Sequence, residues 1–226
     1  MNMLNVKAFA GLLILLLVMA GLLFLPASAN HFWQAWVFLA VFFAPALAVT
    51  VYLMKNDPEL LERRMNGGPT AEKEPAQKII MLLVSVGFIG LMVFPALDHR
   101  FGWSHMPPVV ALAGDLLVLL GWLALYYVFR ANTYAAATIQ LAPDHKIIST
   151  GPYALVRHPM YAGFWLMALG QALLLPNWVA GSAGLVGFGI LFFGRVGREE
   201  AMMTAAFGEE YRAYMRRTAR VVPWLY

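Results

Sequence analysis

The chain has no cysteine among its 226 residues. That excludes disulfide cross-links, thiolate metal sites and a cysteine nucleophile. Charge is scarce too: Asp, Glu, Lys and Arg make up 12% of the residues. An ordinary soluble domain carries about 25%, so a water-soluble globular protein is excluded. There is no Gly-x-x-x-x-Gly-Lys loop to cradle phosphates and no Gly-x-Ser-x-Gly elbow to present a serine nucleophile. The five histidines (His31, His99, His105, His145 and His158) show no metal-ligand spacing, so no metal is expected. Nothing resembles a basic stripe for nucleic acid, so no nucleic-acid partner is expected either.

Hydrocarbon is what the chain has in abundance: 61% of its residues are hydrophobic. Apolar segments fall at 8–25, 32–54, 78–95, 107–129, 159–175 and 178–196, each about as long as the 17–25 residues that cross a bilayer core. Segment 8–25 is read as a retained helix, because its apolar run is longer than the 7–15 residues of a typical signal peptide. With the N-terminus cytoplasmic, all the basic residues except Arg100 fall on the inside, a strong positive-inside bias. The expected fold is an all-α polytopic transmembrane bundle of about six spans with a cytoplasmic C-terminal amphipathic helix. Four spans occupy 1–129, and a catalytic region occupies 130–226. The location expected is a bacterial inner membrane, with both termini cytoplasmic.

The linkers add detail. The loop over 55–78 mixes prolines, glycines and both charge signs, and 59–65 suits a short interfacial helix. Pro176-Asn177-Trp178 leaves room only for a tight turn, so the last two segments form an antiparallel hairpin. Gly163 and Gly170 share a helix face, and glycines stud the final segment, so this hairpin is expected to close on small residues. A separate charged helix is expected over 198–217, with Phe207, Tyr211 and Tyr214 along one face.

Charged, aromatic and turn-forming residues are costly beside a bilayer, so a dense block of them marks a site. Such a block runs from Ser149 to Gly163. Within it Pro159 suits the first turn of a helix, where a missing N–H costs nothing, and that makes His158 the N-cap. The helix end then offers free amides and a positive dipole to an anionic group. Arg157, Tyr161 and Gly163 fall in or beside the same turns, the glycine allowing close approach. The second cluster is Glu199-Glu200, which point about 100° apart on a helix, with Arg195 one turn before Glu199. A helical hairpin would bring His158 and Glu199 together.

The run His145-Lys146-Ile147-Ile148-Ser149-Thr150-Gly151-Pro152-Tyr153, followed by Arg157-His158-Pro159-Met160-Tyr161-Ala162-Gly163, resembles the core motif of isoprenylcysteine carboxyl methyltransferases. Related membrane phospholipid methyltransferases share its Arg-His-Pro-x-Tyr-x-Gly portion. A second block matches at Arg195, Glu199-Glu200, Phe207-Gly208-Glu209-Glu210-Tyr211 and Tyr214. The resemblance covers roughly 130–226. It implies methyl transfer from S-adenosyl-L-methionine at the cytoplasmic membrane face. The cofactor would be lined by His145, Lys146, Ile147, Ile148, Tyr153, His158, Pro159, Met160, Tyr161, Gly163 and Glu199. Arg195 would contact the acceptor, and Glu199 or Glu200 is the only plausible base. The partners implied are membrane lipids and an apolar or lipid-like acceptor entering from the bilayer. That acceptor would present a carboxylate, amine or thiol.

Two other readings stand beside this one: an NADPH-dependent reductase resembling sterol reductases, and a non-enzymatic transporter or assembly factor. Calorimetry on the detergent-purified protein separates them. The methyltransferase reading expects saturable binding of S-adenosylhomocysteine, lost in Glu199→Ala. Binding of NADPH alone would indicate a reductase, and binding of neither a non-enzymatic protein.

Overall fold

The computed structural model describes residues 2–29, 31–67, 70–71, 75–104, 107–138, 144–174 and 178–223. Among these residues there are seven α-helices: α1 (Met3–Ala27), α2 (Trp33–Asn56), α3 (Pro58–Met65), α4 (Pro75–Phe101), α5 (Pro108–Ala131), α6 (Pro159–Leu174) and α7 (Trp178–Arg217). One 3-10 turn, Gly151–Ala154, precedes α6. Helices α1, α2, α4 and α5 are long and apolar enough to cross a membrane, and their many exposed leucines, valines and isoleucines face outward as lipid-facing side chains do. The protein is therefore an integral membrane helical bundle. Helix α6 has 16 residues, about 24 Å at 1.5 Å per residue.

Contacts run in a closed ring, α1 against α4, α4 against α7, α7 against α6, α6 against α5, α5 against α2 and α2 against α1. The short helix expected over 59–65 is present as α3. Its start is set by Asp57-Pro58: proline cannot continue α2, and Asp57 Oδ1 accepts from the Leu60 amide at 2.9 Å. Helix α3 buries Leu60 and Leu61 against the ring. This holds its basic end, Arg63-Arg64, under the loop 132–138, where Arg63 Nη1 donates to the Thr133 carbonyl at 2.7 Å.

Two expectations are corrected. Gly163 and Gly170 do not close the hairpin of α6 on α7; they face α5. A Cβ on Gly170 would lie 2.5 Å from the Gly114 carbonyl oxygen, and one on Gly163 would lie 3.1 Å from that of Gly121. The matching seven-residue spacing on the two helices brings backbone against backbone, and this is how membrane helices associate without hydrophobic drive. Gly189 of α7 does face α6, at the Trp165 ring. The turn at Pro176-Asn177 lies outside the described residues.

The second correction concerns the charged helix at 198–217, which is not separate. Helix α7 runs unbroken through Arg195 and both glutamates to Phe207 and bends at Gly208, whose φ of 56° and ψ of −124° lie outside helical space. The Glu-, Ala- and Met-rich stretch after 198 has no reason to stop a helix. Gly208 can adopt the positive φ without a Cβ clash.

The α5–α6 seam yields a test. Gly170→Ala must push the two helices apart, at a cost of about 1–3 kcal/mol, and is expected to lower the melting temperature in detergent by several degrees. Gly87→Ala, where a Cβ meets nothing within 4 Å, should leave it unchanged or slightly higher. Equal melting temperatures in the two variants would refute the close seam.

Candidate active site

The segment before α6 is tied to the chain that follows α7. Val156 and Ala219 form a parallel bridge. The Arg157 amide donates to the Ala219 carbonyl at 2.9 Å and the His158 amide to the Arg220 carbonyl at 3.0 Å. Tyr214 Oη donates to the Tyr153 carbonyl at 2.7 Å, and Tyr153 Oη accepts from Asn132 Nδ2 at 2.8 Å. His158 occupies the N-cap position expected of it: its carbonyl accepts from the Tyr161 and Ala162 amides at 3.2 and 3.3 Å.

Glu200 is the centre of this junction. It accepts from Arg157 Nε at 2.9 Å and Arg220 Nη2 at 2.7 Å, with His158 Nε2 at 3.3 Å. Arg157 also donates to the carbonyls of Met215 and Thr218. Burial alone would raise the Glu200 carboxyl, but the hydrogen bonds from His158, Arg220 and Arg157 outweigh it and bring the pKa down to about 2. Burial likewise opposes a charge on His158, yet the hydrogen bonds and charges of Glu199 and Glu200 raise its pKa above the ordinary imidazole value.

Glu199, about 100° around the helix, faces elsewhere. Its Oε2 lies 3.4 Å from His158 Nδ1, and its Oε1 accepts from Tyr161 Oη and lies 3.8 Å from Arg195 Nε. Arg195 Nε donates to Tyr161 Oη at 3.1 Å. Its other nitrogens reach Gln77 Oε1 at 3.2 Å and the Ala137 carbonyl at 3.0 Å. The phenol therefore stands between a guanidinium and a carboxylate.

Two cavities meet here. The first, about 130 Å³, is lined by His145, Lys146, Ile147, Ile148, Tyr153, His158, Pro159, Met160, Tyr161 and Glu199, together with Asn132, Tyr134, Met202 and Met203. The His145 ring stacks on Tyr134 with centroids 4.5 Å apart, and its buried Nδ1 has no hydrogen-bond partner among the described residues. Burial, then the charge of Arg63, lowers the His145 pKa and keeps that ring neutral. The second cavity, about 300 Å³, is apolar along Ile80, Met81, Val84, Phe164 and Phe192, with Arg64, Arg195, Tyr161 and Glu199 at its polar end. Ala136, Met160, Tyr161 and Glu199 line both.

The structure thus gathers most of the expected site residues into one place and leaves two out. Gly163 lines neither cavity and is occupied by the seam with α5. Glu200 lines neither cavity as well; a carboxyl held near 2 is also a poor proton acceptor at neutral pH. Sequence reasoning missed Tyr134, Asn132, Gln77 and Arg64. The last two come from helices that the motifs do not reach, and nothing in their local spacing marks them.

The chain is similar to known proteins over part of its length. The model of the isoprenylcysteine carboxyl methyltransferase (ICMT) family matches residues 112–205. A protein-S-isoprenylcysteine O-methyltransferase from Schizosaccharomyces pombe is 36% identical over 80 residues, which cover 35% of this chain and 34% of that protein. A probable protein-S-isoprenylcysteine O-methyltransferase from Oryza sativa subsp. indica is 29% identical over 153 residues, covering 64% of this chain and 80% of its own. The solved structure of the eukaryotic intramembrane Ras methyltransferase ICMT aligns over 100% of this chain and 88% of its own at 16% identity, with a TM-score of 0.47.

The Glu200 junction makes a pH-dependent prediction. A carboxyl lowered from 4.5 to about 2 contributes stability that is complete above 4.5 and is lost as pH falls towards 2. His158, raised above 6.5, contributes below 6.5 and loses its share as pH rises through the raised value. Glu200→Gln leaves the buried Arg157 and its neighbours uncompensated, at about 3–5 kcal/mol. Melting temperature against pH should fall on the acid side in the unmodified protein, and this acid-side loss should shrink in Glu200→Gln. Parallel acid limbs in the two proteins would remove Glu200 from the centre of the junction.

Proposed function

The chain belongs to the isoprenylcysteine carboxyl methyltransferase superfamily, a superfamily of methyltransferases, and on that premise we propose that it methylates a carboxylate of an apolar, lipid-like acceptor. The methyl donor is S-adenosyl-L-methionine, and the reaction runs at the cytoplasmic face of the membrane. One observation carries this reading: the more polar cavity and the apolar cavity share Tyr161 and Glu199 in their walls. The names of the relatives support oxygen as the atom methylated.

The first cavity suits the donor. The stacked Tyr134 and His145 rings offer a flat seat for adenine, and His145 Nδ1, buried and without a hydrogen-bond partner among the described residues, is a polar atom in want of a ligand. Lys146 and the N-terminus of α6 at His158-Pro159-Met160 suit the methionyl carboxylate. Glu199 suits the amino group, and the Tyr161 ring suits a cationic sulfur. When bound, S-adenosyl-L-methionine supplies an electrophilic methyl group on a sulfonium.

The residues of this chain then mainly position, because an in-line displacement depends on alignment and exclusion of water. An acceptor carboxylate attacks through an oxygen lone pair, so its negative charge is consumed as the sulfonium becomes a neutral thioether. No proton moves and no base is needed. An amine or thiol would need one, and Glu199 already accepts from Tyr161 beside Arg195, which favours the carboxylate. Arg195, braced by Gln77 and the Ala137 carbonyl, holds Tyr161 and Glu199 at the junction. The inward bias of the basic residues supports cytoplasmic termini, a cytoplasmic site and an inner-membrane location. The region 130–226 supplies most of the site, and α3 and α4 complete the apolar cavity.

The test is methyl transfer from labelled S-adenosyl-L-methionine to an N-acetyl-S-isoprenylcysteine in detergent or vesicles. Glu199→Ala and His158→Ala should each reduce turnover by about 100-fold or more while the melting temperature stays measurable. Arg195→Ala should impair acceptor use more than S-adenosylhomocysteine affinity. Full activity in both Glu199→Ala and His158→Ala would sink the site assignment.

A further inference from the structure

Most arginines around the site have a carboxylate. Arg63 Nη2 reaches Glu59 at 2.8 Å, Arg157 and Arg220 share Glu200, and Arg195 lies 3.8 Å from Glu199. Arg64 is the exception. Its Nη1 donates to the Ala135 and Ala136 carbonyls at 3.4 and 3.3 Å and to Met160 Sδ at 3.2 Å, and its guanidinium lies 4.9 Å from the Phe129 ring centroid. Every one of these partners is neutral, and among the described residues Arg64 has no acidic partner. Burial lowers its pKa to about 10, still far above neutrality, so the charge persists.

A partly buried cation whose partners are all neutral is costly, and Arg64 stands where a ligand can supply a counter-charge. It lines the polar end of the 300 Å³ cavity, across from Tyr161 and Glu199. It also lines a second apolar cavity, about 420 Å³, between α1, α2 and α5, and Phe164 is its companion in both. Arg195 and Glu199 neutralise each other at this polar end, which leaves Arg64, among the described residues, as a charge there with no acidic partner.

We propose that Arg64 binds the carboxylate of the methyl acceptor, pairing with it and aiming its oxygen at the junction of the two cavities while the hydrocarbon tail lies along Ile80, Val84 and Phe192. This rests on the methyltransferase reading above and adds a specificity-determining residue contributed by α3. Arg195, saturated by Tyr161, Gln77 and Ala137, is then a positioning residue. Arg64 discriminates for a single negative charge at the head of the acceptor. A neutral head leaves the guanidinium uncompensated, and binding loses accordingly.

The experiment compares an N-acetyl-S-isoprenylcysteine carboxylate with its carboxamide. Both are titrated calorimetrically into the full chain saturated with S-adenosylhomocysteine, for the unmodified protein, Arg64→Met and Arg64→Lys. The acid should bind the unmodified protein at least tenfold tighter than the amide. Arg64→Met should bind the two alike, with S-adenosylhomocysteine affinity within twofold of the original, and Arg64→Lys should recover part of the preference. An undiminished preference for the acid in Arg64→Met, in a protein that turns over normally, overturns the inference and leaves the methyltransferase reading standing. Joint loss of S-adenosylhomocysteine and acid affinity in that variant also overturns it, because Arg64 would then be only a prop for the loop 132–138. An unmodified protein that binds neither S-adenosylhomocysteine nor the acid removes both readings together.

Discussion

The site depends on one buried carboxylate. Taking Glu200 out of water is unfavourable unless it is fully paired, and the three cations that pair it come from two distant parts of the chain. Arg157 and His158 stand just before α6, and Arg220 stands beyond α7. Satisfying Glu200 therefore fixes the N-terminus of α6 against the last residues of the chain. Both the backbone bridge at Val156 and Ala219 and the Tyr214–Tyr153 bond follow in register. With Glu200 committed, the helix repeat leaves Glu199 no direction but inward, to Tyr161. The adjacency of the two glutamates is thus a division of labour: one holds the frame and the other faces the two cavities.

The same logic separates what the sequence discloses from what it conceals. His158 as N-cap, Pro159 at the helix start and Glu199 opposite them are local consequences of helix geometry, and the structure has all three. The assignment of Gly163 and Gly170 to the hairpin failed, because a glycine face says that something comes close without saying what. Their true partners, Gly121 and Gly114, carry the same spacing in α5, but a spacing match between helices can be recognised only once the neighbours are known. As a candidate base Glu200 stands beside Glu199 in the sequence, because the cations that claim it lie 20 and 43 residues away. Arg64 and Gln77 belong to helices whose composition is ordinary for a membrane protein.

The contrast between the two cavities follows from their walls. The first takes its surface from loop residues, the start of α6 and the post-membrane part of α7, so it is the more polar of the two. The second takes its surface from α4, α6 and α7 within the apolar ring. Tyr161 belongs to both, because the first turn of α6 is where the loop region becomes membrane. Its phenol carries a hydrogen bond on either side, from Arg195 and to Glu199. The boundary between cavities is therefore as firmly held as any part of the core.

Helix α6, finally, is short for its surroundings. At about 24 Å it falls about 6 Å below the thickness of an average hydrocarbon core. Such hydrophobic mismatch is relieved by thinning the lipid or by drawing the polar end of the helix below the headgroup plane. The polar end of α6 is the one bearing His158 and Tyr161. With that end drawn down, an amphiphile diffusing in the leaflet would meet the junction of the cavities near the depth of its own head. For such a molecule the distance to be climbed out of the bilayer is shortened by the geometry of one helix.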